Sequence, residues 1–148
     1  MNRRRIPPAN VVILAAGALM LAGSFMAFYK VVAPNGTASF NAWDRGLFMI
    51  ATLPALLGTV MALQILLVTF GNITMPNRVL SLTWDQFHVV VALQTFVLML
   101  AHAAREPNLV GFPTELGTGF WVMFIGAIGL VVGALVRVAT ARRRPRAI

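Results

Sequence analysis

Four apolar stretches, each about as long as a bilayer is thick, take up most of this sequence. They run from about Val11 to Tyr29, from Gly46 to Phe70, from Trp84 to Ala103 and from Gly119 to Val136. Crossing a hydrocarbon layer of roughly 30 Å takes about 20 helical residues, so each stretch reads as a transmembrane helix. The connections between them are too short to hold a soluble domain. The fold class that follows is all-α: one four-helix transmembrane bundle over 1–148, with short loops and basic tails at 1–10 and 137–148.

Composition points the same way. Hydrophobic residues make up 59% of the chain and charged residues 11%, against roughly 45–50% and about 25% in soluble domains. A water-soluble fold of 148 residues has too much surface for its volume to hide that excess. The net charge of +8 falls mainly at the chain ends, in Arg3, Arg4 and Arg5 and in Arg142, Arg143, Arg144 and Arg146. Basic clusters beside apolar spans are topology signals and contacts for anionic head groups. The expected partner is therefore the bilayer and not a nucleic acid.

The loops set the orientation. One side carries nine basic residues, namely Arg3, Arg4, Arg5, Arg78, Arg137, Arg142, Arg143, Arg144 and Arg146; the other carries three, Lys30, Arg45 and Arg105. The richer side is expected in the cytoplasm, which puts both termini there. The first apolar run continues past Ala22 and Gly23 through Phe25, Met26 and Phe28. Met20 or Leu21 also stands where a signal-peptide cut wants a small residue, so this run is expected to stay as a helix.

Local signals mark the helix ends. Asn10, after Pro7 and Pro8, has the side chain of an N-cap. Pro34–Asn35–Gly36 reads as a turn. Thr83-Trp84-Asp85-Gln86 has the spacing of a capping box, with Asp85 in the first turn, where the helix dipole favours an acid. Pro54 falls inside the second stretch and is expected to kink it near Ile50. Tyr29, Trp43 and Trp121 are expected at one membrane interface and Trp84 at the other.

Few residues invite a chemical reading. With no cysteine, thiolate chemistry and disulfides are excluded. His88 and His102, the two histidines, stand 14 positions apart in the third stretch. That is about 40° short of four full turns and about 21 Å along the axis, so they share one face. The spacing resembles that of paired histidines on haem-binding helices of b-type cytochromes. A bis-histidine haem needs a second donor across the ring, and no further histidine is present. The expectation is that no cofactor is held and that both side chains reach water and head groups, with Asp85 one turn before His88 as its partner. Gln64 and Gln94 are expected to hydrogen-bond between helices, and Gly126, Gly129 and Gly133 to form a close-packing face on the fourth helix. No span carries a charge at mid-depth.

The runs Trp43-Asp44-Arg45-Gly46-Leu47-Phe48, Leu53-Pro54-Ala55-Leu56-Leu57-Gly58 and Thr83-Trp84-Asp85-Gln86-Phe87-His88 together resemble small four-helix membrane proteins of actinobacteria. The resemblance covers most of the chain. It implies the four-span topology and no activity, cofactor or site residue. Small multidrug transporters are not similar, because the first span lacks their mid-membrane glutamate. The expected role is a non-catalytic accessory or scaffold subunit of a cell-envelope or respiratory assembly in the bacterial plasma membrane. It would meet a membrane-protein partner or further copies of itself. The alternatives are an oligomeric transport or conduction module and a haem- or quinone-linked electron carrier that uses His88 and His102.

Overall fold

A computed structural model of the chain describes residues 6–45, 47, 51–71, 73, 81–104 and 113–142. Arg3, Arg4, Arg5, Arg78, Arg105, Arg143, Arg144 and Arg146 lie outside the described residues, as does Gly46, the expected start of the second span. The protein is mostly helical. Its elements are α1 (Pro8–Ser24), β1 (Tyr29–Ala33), β2 (Gly36–Phe40), α2 (Thr52–Phe70), α3 (Trp84–Ala104), β3 (Thr114–Leu116) and α4 (Thr118–Arg142). Three helices, α2, α3 and α4, are long and apolar enough to cross a membrane; α1 is apolar but shorter, with 17 residues.

The purely helical expectation needs correction at one end of the bundle. α1 stops at Ser24 and not at Tyr29. Tyr29 instead opens a three-stranded antiparallel sheet of order β2-β1-β3. The expected turn at Pro34–Asn35–Gly36 is the tip of its hairpin: Ala33 pairs with Gly36 across a two-residue loop. Gly36 has a φ of 137°, a conformation open to a residue without a Cβ. The alternation of buried Tyr29 and Val31 with more exposed Lys30 and Val32 is the period-two pattern of a strand. It was hidden in the sequence because Tyr29 and the apolar residues before it extend the hydrophobic run of α1.

Two helix starts also differ from expectation. Pro7 occupies the N-cap of α1, with Pro8 at the first helical position, so Asn10 falls inside the first turn. Proline suits that place because its φ is already helical and the N–H it lacks would have no intrahelical partner. α2 begins at Thr52, which puts Pro54 in its first turn; Ile50, where the kink is expected, lies outside the described residues. The capping box at α3 is formed as the spacing predicts. Thr83 N–H donates to Gln86 Oε1 at 3.0 Å, and Gln86 N–H donates to Thr83 Oγ1 at 3.4 Å.

Neighbouring helices run antiparallel around a ring, with α1 between α2 and α4 and with α3 closing the circle. Glycines set how closely they approach. Gly23 faces Gly119 and Met123, Gly126 faces Ala16 and Met20, and Gly133 faces Ala9 and Ile13, so one row of small residues lines the α1–α4 seam. Gly17 faces Gly58 and Ala62 across the α1–α2 seam. Between these seams lie the buried side chains of Ile13, Met20, Met123 and Leu130. At the sheet end, Gly117 N–H donates to the Phe28 carbonyl and Gly119 N–H to the Ala27 carbonyl, each at 2.8 Å. These bonds tie the start of α4 to the chain leaving α1.

The glycines are not equivalent. A Cβ at Gly119 would lie 2.6 Å from the Gly23 carbonyl oxygen and 2.8 Å from that of Met26, both backbone atoms. A Cβ at Gly129 would meet only Ala16, whose Cβ is 3.0 Å away. Gly119→Ala is therefore expected to destabilise the protein by roughly 1–3 kcal/mol through overpacking, and Gly129→Ala by clearly less. Thermal unfolding in detergent measures both. Equal losses would contradict the seam described here.

Candidate functional site

The polar side chains of the helices gather in two clusters, one at each end of the bundle. At the end where α1 and α3 begin, His88 is 1% exposed, and its Nε2 lies 3.0 Å from Gln64 Oε1 on α2. With the amide oriented so, Nε2 carries the proton and donates. Nδ1 is buried and has no hydrogen-bond partner among the described residues. Arg137 Nε on α4 pairs with Asp85 Oδ1 at 2.6 Å, both side chains about a quarter exposed. The acid stands in the first turn of α3 and the base in the last turns of α4, so each charge also meets the helix-dipole end that favours it.

Beside these pairs is a cavity of about 90 Å³ lined by Asn10, Gln64, Thr69, Trp84, His88 and Arg137 together with two apolar residues. Asn10 and Arg137 also border a second hollow of about 320 Å³, between the start of α1 and the end of α4. The inner cavity is well below the roughly 300–1,000 Å³ typical of small-molecule sites, and the second hollow reaches only the bottom of that range.

At the sheet end, His102 Nδ1 lies 2.9 Å from the Tyr29 hydroxyl. Phe28 meets the rings of Tyr29, His102 and Phe120 edge-on, with centroids 4.9, 5.4 and 5.5 Å away. Edge-to-face contacts set the positive ring edge on the negative ring face. Burial pushes the Tyr29 phenol up from its ordinary value of 10.0 to about 12. Close by, Trp43 Nε1–H donates to Ser24 Oγ at 2.9 Å while its ring stacks on Phe25. The turn from Asn41 to Asp44 is closed by the Asn41 and Asp44 side chains, which accept from the Trp43 and Asn41 N–H groups.

The sequence-based site residues are thus placed as follows. His88 and His102 share one face of α3, as their spacing requires, but that face is turned inward. Both side chains are buried, which corrects the expectation that they reach water and head groups. Gln64 and Tyr29 supply the polar partners that water would have supplied. Asp85 pairs with Arg137 and not with His88. Gln64 makes an interhelical bond. Gln94 faces outward, and its expected interhelical hydrogen bond is not formed among the described residues. Gly126, Gly129 and Gly133 lie against α1. Sequence reasoning missed Tyr29 as a partner of His102. The alternation from Tyr29 to Val32 was the available signal for a strand, and nothing local linked it to His102, 73 residues later.

For a haem, this geometry is unfavourable. Each end of the bundle offers one histidine and no second axial histidine, and the space beside His88 is far smaller than a macrocycle. Among the described residues, no three His, Asp or Glu side chains come together as a metal site. The chain matches no protein-family model, no curated protein and no solved structure.

Two outcomes test these pairs. Gln64→Leu leaves His88 buried without its partner, so it is expected to cost more stability than the same change costs beside His88→Leu. The coupling should fall in the range of about 0.6–2 kcal/mol for polar pairs between membrane helices, read from a double-mutant cycle of thermal unfolding in detergent; zero coupling would remove the pair as a lock. The Tyr29 phenol is neutral in the folded protein up to about pH 12, whereas the unfolded chain releases that proton above about pH 10. Its contribution is complete below pH 10 and is lost as pH rises toward 12. The melting temperature should fall over that window, and less steeply in Tyr29→Phe.

Proposed function

We propose that this protein is a non-catalytic subunit of the bacterial plasma membrane, an accessory or scaffold within a larger cell-envelope or respiratory assembly. The observation that carries this reading is the use of its polar side chains. Gln64 with His88, Asp85 with Arg137 and Tyr29 with His102 each join two different elements, and the members of each pair are turned toward each other and not toward a shared reaction centre. Such pairs hold a bundle in one shape, which is what an accessory subunit contributes to its neighbours.

The reading includes an orientation. Both termini lie in the cytoplasm, where Arg3, Arg4, Arg5, Arg142, Arg143 and Arg144 meet anionic head groups, and the sheet lies outside. An open edge supports the second part. β2 is exposed along almost its whole length, and unpaired strand edges are not tolerated against hydrocarbon. A specific observation favours a second reading, an oligomeric transport or conduction module. It is the pair of neighbouring hollows, one beside His88 and Gln64 and one at the start of α1, that share Asn10 and Arg137 in their walls.

Reporter fusions at Ile148 and in the Pro34–Thr37 loop are expected to report opposite sides of the membrane. The same side for both would defeat this topology. Affinity purification in mild detergent should bring down stoichiometric membrane partners, whereas ion flux through vesicles that hold the chain alone would favour the second reading.

A further inference from the structure

Gln94 is the eleventh of the 21 residues of α3, so about 15 Å of helix extends on either side of it. A glutamine side chain is too short to reach water from that depth. The residue is exposed and makes no hydrogen bond to a described residue. Three polar side chains well inside the helices are bonded within the protomer: Thr59 and Thr95 donate to the carbonyls of Ala55 and Val91, one turn back, and Gln64 meets His88. A primary amide carries two donors and an acceptor, and leaving them unpaired in hydrocarbon costs free energy.

Gln94 shares the outward face of α3 with two large apolar residues. Its neighbours Val90 and Val97, four positions before and three after, are the most exposed large apolar side chains of α3, at 52% and 56%. Val90, Gln94, Val97 and Ala101 fall within about 60° of one another around the axis, at the four-three-four spacing of a helix–helix seam. Ala101 and Ala104, both exposed, are small enough to let a second helix come close. α3 is also the least enclosed of the three long helices, with 28% of its apolar stretch buried against 33% and 44%.

We propose that this face of α3 is where two copies of the chain meet, through a hydrogen bond from one Gln94 amide to the other across a two-fold axis normal to the membrane. A second copy fits for two reasons. Copies inserted in the same orientation carry Gln94 at the same depth, whereas another protein must happen to place a polar group there. A carboxamide is also its own complement, since its N–H donates to the oxygen of an identical group. The proposal rests on the membrane placement of α3 given above and adds the partner.

The chain has no cysteine, so a single introduced thiol is a unique reporter. In the full-length protein reconstituted in phospholipid vesicles, Val97→Cys is expected to cross-link into a dimer on oxidation. Ile125→Cys, on the outward face of α4, is not. Adding Gln94→Leu to the Val97→Cys background should weaken dimerisation roughly 3- to 30-fold, the range expected for a polar contact between membrane helices, while Gln94→Asn retains most of it. Because Gln94 makes no hydrogen bond to a described residue of its own protomer, Gln94→Leu is expected to leave monomer melting unchanged. Failure of Val97→Cys to cross-link, or a dimer indifferent to Gln94→Leu, would overturn the proposal. So would a photo-cross-linker at position 97 that captures a different polypeptide in place of a second copy. Alkaline carbonate extraction of the parent is the control: release from the membrane would defeat the membrane placement itself, and retention confines any failure to the interface.

Discussion

Helices in hydrocarbon gain little from apolar contact with one another, because lipid tails are as apolar as leucine; what holds them is close packing and paired polar groups. The structure depends most on the first of these at the α1–α4 seam. There Gly23, Gly119, Gly126 and Gly133 let two backbones approach to distances that a Cβ would forbid. The approach also brings the start of α4 within hydrogen-bonding reach of the Ala27 and Phe28 carbonyls. The position of β3, and with it the third strand of the sheet, follows from that contact.

Polar pairs then fix α2 and α3 to this central unit. Asp85 to Arg137 joins α3 to α4, and His88 to Gln64 joins α3 to α2, both at one end. Tyr29 to His102 joins α3 to the sheet at the other. α3 is therefore held at both ends, while the middle of its outward face, around Gln94, is left bare. The least enclosed of the three long helices carries the one polar side chain that its own protomer does not satisfy at mid-depth among the described residues.

The sheet gives the two ends of the molecule different characters. One end is a set of helix termini beside polar hollows and the Asp85–Arg137 pair. The other is closed by strands, by the aromatic group of Phe28, Tyr29, His102 and Phe120, and by the Asn41–Asp44 turn that leads toward α2. The two ends of the bundle therefore differ in chemistry, one closed by strands and aromatic rings and the other open to polar hollows.

Much of the helical architecture was legible in the sequence, because its causes are local. Apolar runs of spanning length, the Thr83–Gln86 capping box, the turn at Pro34–Asn35–Gly36 and the shared face of His88 and His102 depend only on composition and on the 3.6-residue period. The sequence by itself determined that the chain is mostly helical and that its surplus of apolar surface calls for a membrane. Tertiary structure decided the rest. The end of α1 at Ser24 is set by strands that pair with segments far away in sequence. The partners of the histidines come from other elements: Gln64 lies 24 residues before His88, and Tyr29 lies 73 before His102. Whether a polar side chain points inward, as Gln64 does, or outward, as Gln94 does, depends on how each helix is rotated against its neighbours. A helix that is apolar around most of its circumference carries little hydrophobic asymmetry to reveal that rotation. Here it is set by where glycines permit contact and where polar groups find one another.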